Sequence, residues 1–444
     1  MATSGRPPLS GIRVVDFSRV IAGPMCTQIL SDMGAEVIKI ENPDGGDDTR
    51  KGAGPRKGGE SHFFMTFNRG KKSVALDFTK PEGQAVVMKL LETADVLVQN
   101  FRPGVPRKYG FDYESLHEKF PRLIYLSISA YGQTGPLSDR PGYDPVLQAE
   151  SGMMSVNGEA NGEGLRHAIA IVDTMTAIHS VAAINAALFA RTSTGKGQHV
   201  DLALYDTALA ALGNMGSYYL IGGEQPRRAG NGHFASAPNS SFDTSNGKIY
   251  MAVANQKLFT DTCKALGHPE WATDPRFAAL ADRVANKPEL TRLMEDVLKT
   301  DTKENWAAKL RHLPAGPIRT MKEALDDRGA NKPELTRLME DVLKTDTKEN
   351  WAAKLRHLPA GPIRTMKEAL DEPEVKRRGM LKTYQHSTAG EVPLIGSNYH
   401  FSDTPVDDTR PPPALGEHTD RVLAELAGLS AGEIAALREK KVVG

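Results

Sequence analysis

The chain has 444 residues, of which 40% are hydrophobic and 25% are charged, a composition that supports a sizeable core and excludes global disorder. Its 55 basic and 55 acidic side chains give a net charge of zero, which argues against nucleic acid as a partner. Two cysteines exclude a disulfide framework and a structural zinc site with four cysteine ligands.

Neither a secretory nor a mitochondrial targeting pattern is present in the polar, proline-containing N-terminal residues. The longest stretch of small and apolar residues, 171–190, contains Asp173 and His179, so it predicts a buried helix and not a membrane span. We therefore expect a cytoplasmic protein that has no membrane partner.

In the first two hundred residues, short β-branched runs alternate with helical patterns. Helical patterns such as Pro24–Met33 and Pro81–Thr93 separate the runs. This alternation is typical of an α/β fold with a parallel or mostly parallel sheet and crossover helices, which places functional groups on loops at the carboxyl ends of the strands. The predicted strands are Ile12–Phe17, Glu36–Ile40, Ser73–Leu76, Val96–Val98, Leu123–Ser127 and Val200–Leu204.

Two further segments complete this first region. Asp206–Ile221 predicts one long helix that leads out of it. Residues 222–241 are rich in Gly, Pro, Asn and Ser, so they predict a linker that ends a domain of residues 1–221.

The second half of the chain has a different character. Residues 242–385 open with a predicted strand, Lys248–Ala252, and a helix from Gln256, after which amphipathic helices dominate. The final segment, 386–444, contains an extended proline-rich run. It ends in His418–Lys441, which predicts two helices joined by a turn.

A near-perfect internal repeat lies in this second half. Residues 282–326 recur as residues 327–371 and differ at a single position. Because solenoid units diverge and about three are needed to bury a continuous core, we interpret the pair as a tandem duplication. The first copy predicts helices at Pro288–Lys299 and Lys303–Arg311, followed by a strand or turn and a short helix. We expect one copy to dock in its domain and the other to be surplus.

Common catalytic signatures are absent, including the dinucleotide fingerprint, the P-loop and the nucleophile elbow. No histidine pair has metal-ligand spacing on a helix face, so we expect no metal. The turn Ser18–Pro24 after the first strand has two interpretations. It is either a tight turn packed on the sheet, or a place where an anionic ligand approaches the backbone at Gly23 and the helix start.

Asp173 stands at the start of a strongly apolar helical segment. A carboxylate in that position is either an N-cap or a first-turn acid of the helix, or it is a poised reactive group, and the local sequence favours the capping interpretation. A carboxylate nucleophile would suit acyl chemistry because it can attack a carbonyl and form a mixed anhydride.

Eight motifs extend from one end of the chain to the other, and together they resemble the family III CoA-transferases (CaiB/BaiF type), which include formyl-CoA transferase, carnitine CoA-transferase and alpha-methylacyl-CoA racemase. The motifs are PLSGIRVVDFSRVIAGPMCTQILSDMGAEVIKIE (Pro8–Glu41), GDDTR (Gly46–Arg50), NRGKKSVALD (Asn68–Asp77), NFRPG (Asn100–Gly104), YGQTGP (from Tyr131), RPGYD (Arg140–Asp144), TGKGQHVD (Thr194–Asp201) and RPPPALGEHT (Arg410–Thr419).

The resemblance implies a large doubly wound, Rossmann-like domain built from both chain ends, a smaller α+β domain between them, and an interlocked homodimer. It places the catalytic nucleophile on Asp173, in place of the capping role that the local sequence favours. Coenzyme A is then a substrate, and no tightly bound cofactor is implied. The family's CoA-contacting positions, with the adjacent Arg19 as a candidate phosphate partner, are Arg19, Val20, Leu76, Asn100, Phe101, Lys108 and Tyr109.

Around RPGYD, the YLIG–linker region and RPPPALGEHT the sequence resembles the transferases that use succinyl-CoA and glutarate. This implies a succinyl-CoA donor and a dicarboxylate acceptor. Tyr143 falls on a position that lines the acyl pocket, and Arg50 and Arg166 are candidate partners for the distal carboxylate. Oxalate is an unsuitable acceptor, because Ile21 replaces a glutamine of formyl-CoA transferase and the glycine-rich loop of that enzyme is missing.

Two alternatives stay open. An acyl-CoA racemase would need the histidine base of a Gly-His-Asp motif, whereas this chain has Tyr143 there, and a phenol that ordinarily titrates near pH 10 is a poor base at neutral pH. A non-catalytic CoA-binding protein would result if the duplication had destroyed the site.

Overall fold

The computed structural model describes residues 5–233, 235–253, 255–318, 375 and 377–444. The chain divides into two compact units. The first comprises residues 1–154, 166–217 and 370–444, and the second comprises residues 155–165 and 218–369.

The first unit contains all six strands that the sequence predicts for the N-terminal region. They form one sheet in the order β5–β2–β1–β6–β7–β8, with every neighbouring pair parallel, so the predicted parallel α/β sheet is confirmed. The small antiparallel pair β3 and β4 lies outside this sheet. The strands are β1 (Arg13–Asp16), β2 (Glu36–Glu41), β3 (Arg56–Lys57), β4 (Glu60–Ser61), β5 (Lys72–Ala75), β6 (Val96–Gln99), β7 (Ile124–Ser129) and β8 (His199–Ala203).

Helices connect these strands. Short 3₁₀ turns occur at Asp48–Arg50 and Pro106–Tyr109. The helices of this part of the chain are α1 (Ala22–Asp32), α2 (His62–Phe67), α3 (Pro81–Leu91), α4 (Tyr113–Leu116), α5 (Asp144–Glu150), α6 (Met153–Val156), α7 (Ile171–Thr194), α8 (Leu204–Ala211) and α9 (Gly213–Gly222).

The sheet is covered on both faces, as the near-continuous apolar strands require. On one face, α1, α7 and α8 pack over it through residues such as Leu30, Ile184 and Ala208. On the other face, α3 packs through Leu90 together with the C-terminal helices α14 (Thr419–Ala427) and α15 (Ala431–Glu439). The two C-terminal helices match the predicted helix pair.

The strand order reverses direction at β1. Chain segments leave the sheet toward β2 and β5 on one side and toward β6, β7 and β8 on the other. In open α/β sheets, ligands bind in the crevice outside the carboxyl ends of the strands at such a switch point. The loops after β1 and β6 therefore mark the place where a ligand is expected.

The second unit contains a three-stranded antiparallel sheet in the order β11–β10–β9. Its helices pack around an apolar core that includes Phe242, Phe259, Met294 and Trp306. The elements are β9 (Asn239–Thr244), β10 (Gly247–Ala252), α10 (Gln256–Ala265), a 3₁₀ turn at Pro269–Ala272, α11 (Leu280–Ala285), α12 (Lys287–Leu298), α13 (Lys303–Lys309) and β11 (Ala315–Ile318).

The first copy of the repeat supplies much of this unit. It contributes α12, α13 and β11, which match the predicted two helices and strand, and Trp306 is buried at 5% exposure. The second copy, residues 327–371, lies outside the described residues.

Several elements differ from the sequence predictions, among them the unpredicted pair of β3 and β4. The single helix predicted at Asp206–Ile221 is wrong, because the structure has two helices, α8 and α9, and Gly213 at the break adopts a positive φ of 50°. Strand β9 was not predicted, since its polar sequence resembles a linker. The hairpin of β12 (Leu381–His386) and β13 (Gly390–Ile395) was not predicted either.

Candidate active site

The loop after β1 begins with a close backbone approach. A Cβ atom added to Gly23 would lie 2.2 Å from the Cβ of Ser18, so only glycine fits at this position of α1. Of the two interpretations of the Ser18–Pro24 turn, the tight turn therefore accounts for Gly23. Ser18 is fully buried, and its backbone N–H donates to Asp16 Oδ1 at 2.8 Å.

The next two residues of this loop are held by side chains from elsewhere in the sheet. The backbone N–H of Arg19 donates to Asn100 Oδ1 at 2.9 Å, and Asn100 Nδ2 donates back to the carbonyl of Arg19 at 2.8 Å. The N–H of Val20 donates to Asp47 Oδ1 at 3.3 Å, and Val20 adopts a positive φ of 72°. This places Arg19, Val20 and Asn100 together at the switch point.

A cluster of aromatic side chains lies beside this loop. The guanidinium of Arg19 lies over the ring of Phe101 at 5.7 Å. Phe78 contacts both Phe101 and Tyr109, with ring centroids 5.8 Å and 5.5 Å apart. Lys108 is exposed on the adjacent 3₁₀ turn. Five of the seven predicted CoA contacts thus share one edge of the sheet with Lys108 beside them.

Leu76 is the exception among these predicted contacts. It follows β5 at the same edge, but its side chain is fully buried, and its backbone forms a bridge with Val443. Contact between the Leu76 side chain and a ligand is therefore ruled out in this structure, which leaves a structural role for that side chain.

Asp173 lies in the first turn of α7, and the N-cap residue of this helix, Ala170, provides no side-chain hydrogen bond. The cap comes instead from Asp144, the first residue of α5. Asp144 Oδ2 accepts hydrogen bonds from the backbone N–H groups of Val172 at 2.7 Å and Asp173 at 3.1 Å. Of the local interpretations, an N-cap role for Asp173 is wrong, because Asp144 occupies that role, whereas Asp173 is an acidic residue of the first turn.

A second side chain fixes Asp144 in place. Gln148 Nε2 donates to Asp144 Oδ1 at 2.6 Å, while Gln148 Oε1 accepts from the backbone N–H of His167 at 2.8 Å. Asp144 and Gln148 are both buried. The carboxyl group of Asp173 is thus carried on a helix start that is tied to α5.

The carboxyl group of Asp173 is half-buried and accepts no hydrogen bond from any of the residues that the structure describes. Burial, together with the neighbouring negative charge of Asp144, raises the pKa of Asp173 to about 7. A more basic carboxylate that is poorly solvated is a stronger nucleophile, and perturbed carboxyl groups of this kind are typical of reactive sites.

The two predicted carboxylate partners differ. Arg50 is buried, and its guanidinium is already bound by Glu41 at 2.8 Å and Glu60 at 3.0 Å, so its prediction as a substrate contact is not supported. Arg166 is exposed, seven positions before Asp173 in the chain, and is free of carboxylate partners among the described residues. Tyr143 is 70% exposed and immediately precedes Asp144.

The described residues contain no group of three or more His, Cys, Asp or Glu side chains that could hold a metal ion. One of their helices, α7, is long and apolar enough to cross a membrane, but it packs on α1 and the sheet through one face.

The Gly195–Gly197 turn ends α7, and a Cβ at Gly197 would lie 2.0 Å from the carbonyl oxygen of Leu123, so close packing explains that glycine.

Sequence reasoning missed the residues that support the site, namely Asp144, Gln148, Asp47 and Lys39. Each acts through a contact between segments that are distant in sequence, so no local spacing reveals it. The family motifs were the available signal, since RPGYD contains Asp144, GDDTR contains Asp47 and the first motif contains Lys39.

The amino-acid sequence matches a known family over most of its length. The model of CoA-transferase family III matches residues 9–331 and 326–419. The chain belongs to this family and is an enzyme of the CoA-transferase class.

Individual relatives agree with this assignment. The chain is 39% identical to the succinate–glutarate CoA-transferase of Agrobacterium fabrum over 95% of this chain and 96% of that protein. It is 33% identical to the human succinyl-CoA:glutarate CoA-transferase over 94% of this chain and 86% of that protein. The crystal structure of a CaiB/BaiF family protein from Brucella suis superposes with a TM-score of 0.69 at 36% identity, over 95% of this chain and 100% of that one.

Proposed function

We propose that the enzyme transfers CoA from succinyl-CoA to a dicarboxylic acid by covalent catalysis at Asp173. The observation that carries the proposal is the Asp173 carboxyl group. It is half-buried, it is not used as a cap, and its pKa is raised to about 7. The succinate–glutarate transferases among the relatives support the choice of donor and acceptor class.

The reaction proceeds in four acyl transfers. The Asp173 carboxylate attacks the thioester carbonyl of the donor, forms a mixed anhydride and releases CoA thiolate. The thiolate then attacks the aspartyl carbonyl, which releases the donor acid and leaves an aspartyl-CoA thioester. The acceptor carboxylate attacks this thioester, releases the thiolate again and forms a second anhydride. Attack of the thiolate on the acceptor carbonyl yields the new acyl-CoA and free Asp173.

The chain's own residues account for binding and positioning. The loop of Arg19 and Val20, with Asn100, Phe101 and Tyr109, binds CoA at the switch point, and Lys108 offers a cation for a phosphate. Tyr143 lines the acyl pocket, and Arg166 pairs with the distal carboxylate of the acid. Coenzyme A enters as a substrate, and no resident cofactor is required because the thioester supplies the activation.

We also propose that the enzyme works as the interlocked homodimer of its family. Helix α9 has no buried residue, and its Leu220 and Ile221 are 80% and 89% exposed. On α7, Phe189 is 79% exposed. Apolar side chains this exposed need cover in water, and a second copy of the chain would supply it. Light scattering should give a dimer, and Leu220→Glu should weaken it, whereas Ser193→Glu on an exposed polar position should not.

Asp173→Ala tests the catalytic proposal. Loss of the nucleophile should reduce kcat by at least about 1,000-fold while CoA binding persists, because the remaining site still holds the substrate. Asp206→Ala is the matched control, since Asp206 also lies in the first turn of an apolar helix, α8, but is exposed. Retention of more than about a hundredth of wild-type turnover in Asp173→Ala would contradict the covalent role.

The acceptor acid is identified by a panel. Succinyl-CoA is offered with mono- and dicarboxylic acids of graded length, and mass spectrometry detects the acyl-CoA formed. Dicarboxylates should be preferred, and Arg166→Gln should reduce kcat/KM for them by about 10-fold more than for monocarboxylates, the size expected for one lost charge-assisted hydrogen bond. An equal loss of kcat/KM for dicarboxylates and monocarboxylates would show that Arg166 does not pair with the distal carboxylate.

A further inference from the structure

Beneath the loop after β1 lies a pair of fully buried charges that the proposed chemistry does not use. Lys39 Nζ and Asp47 Oδ2 are 2.9 Å apart, and both side chains have 0% exposure. Lys39 is on β2, and Asp47 follows it in a loop and caps the 3₁₀ turn at Asp48–Arg50. A second buried pair, Lys71 and Asp16, lies nearby with 3.1 Å between Nζ and Oδ2.

Both members of the first pair reach the backbone of the loop. Lys39 Nζ donates to the carbonyl oxygen of Ser18 at 2.6 Å, and Asp47 Oδ1 accepts from the N–H of Val20 at 3.3 Å. Asn100 holds Arg19 between them. Three consecutive residues of the loop are therefore fixed by three side chains that come from three different segments.

Val20, which these contacts surround, has a backbone conformation that costs free energy. Val20 has a φ of +72°, and a β-branched side chain is rarely found in the left-handed region because its Cβ crowds the backbone. Backbone strain of this kind persists only where the surroundings over-determine it, and it concentrates at functional sites.

Stability alone gives little reason for the pair. Removing two charges from water costs more free energy than their attraction returns in many proteins, and an apolar pair of similar volume is often as stable. A buried ion pair that also bonds to a strained loop is better explained by the geometry it imposes on that loop.

We propose that Lys39 and Asp47 are positioning residues that hold Val20 in the left-handed conformation, so that the loop after β1 is preformed to bind CoA. This inference rests on the proposed function because CoA is the ligand assigned to the switch point. It concerns binding, since Lys39 and Asp47 are buried and do not touch the substrate.

The test measures the affinity of the full-length chain for CoA by titration calorimetry and, in parallel, KM for succinyl-CoA and kcat. Asp47→Ala removes the acceptor for Val20 and should raise Kd and KM about 5- to 30-fold, the equilibrium equivalent of releasing one left-handed residue. The value of kcat should change less than about 3-fold, because bound substrate restores the loop. Lys39→Met should give a similar rise.

Asp47→Asn is the conservative variant and guards against misfolding. Its amide oxygen still accepts from the Val20 N–H, so it should raise Kd less than Asp47→Ala does. The matched control is Arg69→Met, which breaks the buried pair between Arg69, after α2, and Asp32, at the end of α1. It should lower the melting temperature and leave Kd for CoA unchanged.

A double-mutant cycle isolates the role of the strain. Glycine adopts a positive φ freely, so in a Val20→Gly background the effect of Asp47→Ala on Kd should shrink to less than about 3-fold. The inference is overturned if Asp47→Ala and Lys39→Met lower the melting temperature without changing Kd, or if Val20→Gly leaves their effect on Kd intact.

Failure of this inference is distinguishable from failure of the proposed function. A wild-type chain that binds CoA but transfers none contradicts the proposed chemistry, while the Kd series still decides the role of Lys39 and Asp47. A wild-type chain that does not bind CoA overturns both.

Discussion

The two units differ in what they bury. Under the switch point of the first unit, Asp16, Lys39 and Lys71 are charged and fully buried. The core of the second unit is mainly aromatic and aliphatic, with Phe242 and Trp306 among its members, and its buried Arg283 donates to backbone carbonyls and Gln256 and not to a carboxylate. Because buried charge is a poor source of stability, we infer that the buried ion pairs of the first unit hold a fixed geometry for chemistry and that the second unit serves as a scaffold.

This contrast makes a general prediction. Changes to buried polar groups near the site of the first unit should alter kinetics more than folding. Changes to the core of the second unit should lower the free energy of unfolding, whereas the molecules that remain folded should keep their activity.

Trp306→Ala should have the largest effect. The side chain is buried at 5% exposure, and its indole N–H donates to the carbonyl of Leu298 at 2.8 Å. Truncation leaves a cavity and an unpaired carbonyl, so the free energy of unfolding should fall by about 3–5 kcal/mol. Chemical denaturation measures this loss, and the folded fraction should keep its Kd for CoA. A changed Kd would contradict the scaffold role.

Asp144→Ala should reduce kcat about 100-fold, since α7 loses its cap and Asp173 its fixed position. The associated loss of stability should be smaller, about 1–2 kcal/mol, as expected for one cap. Steady-state kinetics and denaturation are measured on the same samples. Glu150→Gln, an exposed change on the same helix α5, is the control and should keep most of the activity. A variant with wild-type kcat and reduced stability would make Asp144 purely structural.

The pH dependence of kcat/KM should follow the ionisation of Asp173. Its pKa is raised to about 7, so the nucleophilic carboxylate is lost as the pH falls below that value, with a tenfold drop per unit well below it. In Asp144→Asn the negative neighbour is removed, so the midpoint should move to lower pH. A profile that is flat between pH 5 and pH 8, or one that is unchanged in Asp144→Asn, would contradict the account.

The raised pKa of Asp173 lowers the stability of the folded protein as the pH rises, although the same rise in pH increases activity. A carboxyl group whose pKa is higher in the folded state than in the unfolded state binds protons more tightly when folded, so its contribution to stability falls as the pH rises from about 4 to about 7. Asp173→Asn should therefore stabilise the protein at pH 8 and have little effect at pH 4. Melting temperatures at both values check the sign.

Deletion of residues 327–371 should have the smallest effect. The first copy of the repeat already supplies α12, α13 and β11 to the second unit, and the proposed site residues all precede residue 240. We expect a dimer at least as stable and as active as the full chain, measured by light scattering, denaturation and turnover. An unfolded or inactive product would show that the second copy is integral to the fold.

The sequence predicted the sheet of the first unit well, because its strands are short β-branched runs bounded by turns. All six were predicted within a few residues of their observed bounds. Strand β9 was missed because its residues are mostly polar, and pairing with β10 stabilises it in the structure. Gly213 interrupts a predicted helix because it adopts a positive φ, which the apolar pattern around it did not predict.

The site was predicted less completely. Asp173 emerged from the family resemblance and not from its local sequence, which favoured a cap. Asp144 provides that cap from 29 positions away in the chain, and Asp47 reaches Val20 from 27 positions away. Contacts of this length depend on the tertiary fold, so residue type and spacing alone do not reveal them. Arg50 was selected by type, and the structure binds it to carboxylates instead.

Trapping the covalent intermediate tests the central claim most directly. The full-length chain is incubated with succinyl-CoA and quenched with hydroxylamine, which converts an aspartyl thioester or anhydride into a hydroxamate. Peptide mass spectrometry then locates the modification. The account predicts a hydroxamate on Asp173, formed only when succinyl-CoA is present and absent from Asp173→Asn. Sustained transfer with no modification of Asp173, or with the modification on another carboxylate, would contradict it.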